Sequence, residues 1–85
     1  MNTFSLRVAT PDGDAFKGEA IMLTVRGVEG ELAVMAGHVP FVTSVKPCKI
    51  KIETDDDEFY ATIGGGILSV SKNETVLMSS SFEKE

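Results

Sequence analysis

With 85 residues the chain has room for one domain around one core, and a domain of that size buries only about 60–65% of the surface its unfolded chain exposes. Eight Lys and Arg against thirteen Asp and Glu give a net charge of −5, which opposes a phosphate backbone or an anionic lipid surface and speaks against nucleic acid as a partner. A hydrophobic fraction of 42% suits a folded core, no apolar run reaches the roughly 18 residues of a membrane span, and one cysteine excludes an internal disulfide.

Alternation at period two runs through the chain. In Phe4–Thr10 (FSLRVAT) the apolar side chains fall at Phe4, Leu6 and Val8, and Pro11-Asp12-Gly13 then marks a turn. In Ala20–Arg26 (AIMLTVR) they fall at Ile21, Leu23 and Val25, with Met22 and Thr24 on the other face. Gly27–Gly30 reads as a second turn, leading into the strand-like run Leu32–Met35. Lys46-Pro47-Cys48 is a further turn, followed by Lys49–Thr54 (KIKIET), where Ile50 and Ile52 oppose Lys49, Lys51 and Glu53. Asp55-Asp56-Asp57, the triple glycine Gly64–Gly66 and Lys72-Asn73-Glu74 separate the less regular runs ATIGGGILSV and ETVLMSS.

Such alternation places apolar residues on one sheet face and polar residues on the other. No segment carries the i, i+3, i+4, i+7 stripe of an amphipathic helix. Short strands with frequent turns predict an all-β domain, a single β-sandwich or small barrel of mostly antiparallel strands. The domain is expected over residues 1–80, with 81–85 a polar, frayed tail. The N-terminus lacks the basic region and long apolar segment of a secretory leader. With the lone cysteine, this points to a soluble intracellular domain without direct membrane insertion.

Chemistry is sparse. His38 is the one histidine, but acid–base work needs a partner that orients the ring or takes its proton. No serine or cysteine motif supplies one. One His and one Cys are too few for a structural zinc site. The contiguous acids Asp55–Glu58 lack the alternate spacing and glycine of a calcium loop and read as a solvated hairpin. The triple glycine lacks a following helix and so reads as a bulge or a close backbone approach, not a phosphate cradle. No catalytic group and no cofactor are expected.

The stretch Gly27–Thr43 (GVEGELAVMAGHVPFVT) resembles the signature of the epsilon subunit of F-type ATP synthases. Val8–Gly13 (VATPDG), Phe16–Ala20 (FKGEA), Val45–Ile52 (VKPCKIKI) and Gly64–Val70 (GGGILSV) follow in the family's order, so the resemblance runs from Phe4 to about Met78. Ala36 stands where the family usually has proline, and Cys48 where it usually has glycine. The resemblance implies a ten-stranded β-sandwich at the foot of a rotor, on the cytoplasmic face of the cell membrane, joining the gamma shaft to the c-ring as a non-catalytic subunit of the complex.

On that likeness the hairpin tip Val28, Glu29, Gly30 and Glu31 faces the c-ring loops, while Thr10, His38 and Thr43 lie on the gamma-facing side. Family members commonly continue into a helical hairpin. The residues after Met78 are too few for it, so the chain reads as a short member or the first domain of a longer one, and no ATP binding is expected of these residues. The rival readings are a free-standing adaptor or ligand-binding module and, more remotely, a small hydrolase using His38.

Overall fold

The structure is a computed structural model that describes residues 2–85. Ten strands follow one another: β1 (Phe4–Thr10), β2 (Gly13–Ala20), β3 (Met22–Gly27), β4 (Gly30–Val34), β5 (Phe41–Val45), β6 (Cys48–Glu53), β7 (Glu58–Ile63), β8 (Gly66–Val70), β9 (Thr75–Ser79) and β10 (Phe82–Lys84). No helix forms among the described residues. The fold is the expected all-β sandwich.

The strands join in one path, β10-β7-β6-β3-β5-β8-β9-β1-β2, with β4 on the other edge of β3. All pairings are antiparallel except that of β1 with β9. The path folds over at one corner. β5 and β6 lie along the same edge of β3, β6 through Met22–Thr24 and β5 through the single pair Gly27↔Val45. Lys46 N–H donates to the Arg26 carbonyl (3.0 Å) just where the direction changes. One layer is thus β4-β3-β6-β7-β10 and the other β5-β8-β9-β1-β2.

The alternating side chains meet between the layers. Leu6, Val8, Leu23, Val25, Ile50, Ile52, Ala61, Ile63, Leu68, Val70 and Leu77 form one buried cluster. It draws on β1, β3, β6, β7, β8 and β9, so both layers are held by a common core. Phe16 of β2 and Phe59 of β7, ring centroids 5.8 Å apart, pack where the free ends of the path approach one another.

Three expectations need correction. The polar end is not frayed: Phe82, Glu83 and Lys84 pair with Ile63, Thr62 and Ala61, and Phe82 packs on the core. An unpaired β7 edge and one aromatic ring suffice to order a short polar segment. Glu31 lies beyond the hairpin tip, within β4 and opposite Arg26. Cys48 opens β6 instead of sitting in the turn.

The triple glycine behaves as a close backbone approach. A Cβ on Gly66 would collide with the Met78 carbonyl oxygen of β9, and one on Gly64 with the Ser80 hydroxyl. The acidic hairpin is closed by its own hydrogen bonds: Thr54 N–H donates to the Asp57 carbonyl (2.8 Å), and Asp57 Oδ1 accepts from Glu58 N–H (2.8 Å).

Candidate functional site

The β3–β4 hairpin turns through two residues, Val28 and Glu29, between the paired Gly27 and Gly30. Gly30 has φ +124°, a left-handed conformation that glycine adopts without steric strain. Val28 is 56% exposed, and among the described residues neither Glu29 nor Glu31 forms an ion pair. A recess of about 340 Å³ separates this tip from β5, lined by Gly27–Leu32 on one side and Phe41, Val42 and Thr43 on the other.

The residues expected on the gamma side do not converge. Thr10 secures the β1–β2 turn: its hydroxyl donates to the Gly13 carbonyl (3.0 Å) and accepts from Asp12 N–H (3.2 Å). Thr43 borders the tip recess. His38 belongs to the β4–β5 loop, its ring packed at a 45° tilt against Phe41 with centroids 4.9 Å apart and Nδ1 2.9 Å from the Val39 carbonyl oxygen.

A face that residue patterns did not reveal lies near Thr10. On the outer surface of the second layer, Ile67 stands opposite Met78 and Met78 opposite Ala9. Val42, on β5, is 69% exposed, Met78 50% and Ile67 44%. Together with Thr10, Pro11 and Gly66, the Ala9–Met78–Ile67 row lines an apolar groove of about 440 Å³. Contiguous exposed apolar groups on a small domain mark a docking surface. Apolar residues on the solvent face of FVTSV, GILSV and TVLMS are the only signal of it in the sequence.

The outer face of the first layer is ionic. Glu53 and Glu58 are direct cross-strand partners, and such like charges repel. Lys51 lies between them, its Nζ 3.3 Å from Glu58 Oε2 and 3.9 Å from Glu53 Oε2. The hydrogen bond to Glu58 chiefly, with attraction from Glu53, Glu58 and Tyr60, holds the Lys51 ammonium above the ordinary lysine value of 10.5, against an opposing desolvation effect. A raised folded-state value means that Lys51 stabilises fully below pH 10.5 and loses that contribution as pH rises through the folded value. Lys51→Met should therefore melt lower than the parent at pH 8, with the gap closing as the pH is taken above 10.5. A gap unchanged by alkali, in thermal melts at both pH values, would contradict this role for the ammonium. Among the described residues no group of three or more His, Cys, Asp or Glu is arranged to hold a metal ion.

A ten-stranded sandwich with an acidic hairpin tip at a recess and an apolar outer sheet face defines a small all-β sandwich domain. The chain belongs to the family described as ATP synthase, Delta/Epsilon chain, beta-sandwich domain, whose model matches residues 3–85. It is 39% identical over 83 residues to an ATP synthase epsilon chain of Caldicellulosiruptor saccharolyticus, covering 98% of this chain and 61% of that one. An ATP synthase epsilon chain of Bacillus thuringiensis is 30% identical over 84 residues, covering 99% and 63%. The chain thus spans about three-fifths of the length of these relatives.

The fold is also similar to a chain in the mitochondrial ATP synthase structure of Euglena gracilis, with TM-score 0.90, 21% identity and coverage of 96% and 53%. A chain in the central stalk and c-ring structure of Tetrahymena thermophila ATP synthase gives TM-score 0.82, 12% identity and coverage of 95% and 66%.

Proposed function

We propose that this domain is a rotor-side coupling element of an F-type ATP synthase, joining the gamma subunit to the c-ring so that ion flow and ATP synthesis turn one shaft. It acts as a non-catalytic part on the cytoplasmic face of the membrane, docked on the complex without entering the bilayer. Family membership supplies the setting, and one observation carries the reading: an apolar sheet face and an acidic tip without ion pairs among the described residues occur on the same small, closely packed body. A torque joint must resist shear, and a close-packed interior with a core shared by both layers does so.

The apolar row of Ile67, Met78 and Ala9, with Thr10 at its border, serves gamma. His38 on the β4–β5 loop and Thr43 beside the tip recess are further, separate points of the gamma contact. Val28, Glu29, Gly30 and Glu31 serve the polar loops of the c-ring, where the carboxylates meet cationic or amide groups.

The test uses epsilon-depleted ATP synthase reconstituted with the domain or with Glu29→Lys/Glu31→Gln. Glutamine is chosen at 31 because a lysine there would face Arg26 across the ladder. Away from caps and networks, exposed charges usually change stability by less than about 0.5 kcal/mol, so the variant should melt like the parent and still co-purify with gamma. ATP-driven ion pumping should fall while ATP hydrolysis persists. Normal pumping would remove the tip from the joint, and a parent domain that fails to bind gamma would overturn the assignment.

A further inference from the structure

Strand register draws one line of residues across the outer surface of the second layer. Ser44 of β5 stands opposite Ile67 of β8, Ile67 opposite Met78 of β9, and Met78 opposite Ala9 of β1. Met78 carries the one sulfur in that line, is half exposed and borders the apolar groove. Its chain neighbours Leu77 and Ser79 are buried, as alternation along β9 requires. The thioether therefore lies on the surface, outside the buried core, with apolar groups on both sides.

The two hydroxyls that line the groove are already committed. Thr10 donates its proton to the Gly13 carbonyl (3.0 Å), and Ser79 donates its proton to the Ser81 carbonyl (2.7 Å). Pro11, beside them, has no N–H. A new acceptor placed in this groove thus meets no free side-chain donor of the domain. A thioether is apolar only until it is oxidised; its sulfoxide is polar and carries an acceptor oxygen.

We infer that Met78 is an oxidation switch on this face: hydrogen peroxide converts its thioether to the sulfoxide, and the oxidised domain loses its hold on gamma. A sulfur lone pair attacks one peroxide oxygen, and the S–O bond forms as the O–O bond breaks. The other oxygen leaves with both protons as water. Sulfur gives up two electrons and the peroxide takes them. The inference rests on the reading that gamma covers the Ile67–Met78–Ala9 row, and it adds a regulation of that contact. Docking strips water from the new oxygen, and burying a polar group without a partner weakens binding about tenfold or more. The fold is untouched, because no core packing depends on Met78. Sulfoxide reductases reverse the step, so the switch resets.

The test compares peroxide-treated and untreated domain, with Met78→Leu as control, the peroxide being removed before gamma is added. Leucine keeps the apolar volume and has no sulfur to oxidise. Met35, comparably exposed, is oxidised too, and the control separates its effect. Peptide mass spectrometry should show one added oxygen on Met78, and thermal melts should stay parent-like. Calorimetric titration should show gamma binding weakened about tenfold or more, restored by methionine sulfoxide reductase, and retained by treated Met78→Leu. In the preformed complex Met78 should be shielded and oxidise far more slowly than in the free domain. Unchanged affinity of the oxidised domain, or an equal loss in treated Met78→Leu, overturns the switch, while a shielded Met78 leaves the docking reading intact. A free domain whose Met78 resists peroxide, or that melts lower once oxidised, overturns the switch as well. Met78 oxidising equally fast in the complex overturns the reading that gamma covers this face.

Discussion

Replacing Gly66 by alanine is expected to lower the thermal midpoint by roughly 12–24 °C. That is the shift that about 3 kcal/mol produces in a domain of this size, and overpacking a well-filled site reaches about that value. The added methyl would run into the Met78 carbonyl oxygen, with the Met78 carbonyl carbon 2.9 Å and Ser79 Cα 3.0 Å from it. These are backbone atoms of the paired strand, so no side chain can swing aside. β8 and β9 must separate at the Gly66↔Ser79 pair, which also disturbs the Val45↔Gly66 pair on the other flank. Gly37→Ala is the natural control. Gly37 has φ +83° but open space around its Cβ position, so alanine there meets only backbone strain of about 1 kcal/mol. Thermal melts followed by circular dichroism should rank the two variants in that order. A Gly66→Ala domain melting within a few degrees of the parent would refute the close-approach account.

The second large effect concerns association. Ile67→Lys combined with Met78→Glu should weaken gamma binding by at least a hundredfold while leaving the fold intact. Both side chains are about half exposed and face each other across β8 and β9, so opposite charges at these positions attract instead of repelling. The sheet is spared, but the centre of the apolar face becomes ionic and must be desolvated on docking. Truncating or replacing a central anchor commonly costs 2 kcal/mol or more, and a hundredfold corresponds to about 2.8 kcal/mol. Calorimetric titration with gamma measures it. Unchanged affinity would remove this face from the gamma contact, whereas a parent-like melting curve shows that folding is not at issue.

Much of the core is legible in the residues themselves. Leu6, Val8, Leu23, Val25, Ile50 and Ile52 all follow the period-two rule and all are buried, because strands covered on one face by the opposite layer need little else. Phe41–Val45 is harder to read. Phe41 packs on the core and Val45 is buried, but Val42 projects outward, so hydrophobicity alone does not alternate. β10 is harder still, since three residues acquire order from a partner strand about 20 residues earlier, and no local pattern encodes that.

The interaction surfaces divide in the same way. Val28 and Glu29 at the tip announce themselves through Gly27 and Gly30. The apolar face is assembled from single residues on Ala9, Ile67 and Met78, which become neighbours only through strand register.

The parallel pairing of β1 with β9 governs how this domain is made. Leu6 finds its partner Thr75 about 70 residues later, and during synthesis at about 5–20 residues per second that separation is a wait of roughly 4–14 s. Through that interval Leu6 and Val8 lack β9, the strand that ties the β1–β2 hairpin to β8 and β5. Non-local closure of this kind also slows folding of the finished chain. The nascent polypeptide therefore spends several seconds as an open, apolar ribbon, a window in which a ribosome-associated chaperone has something to hold.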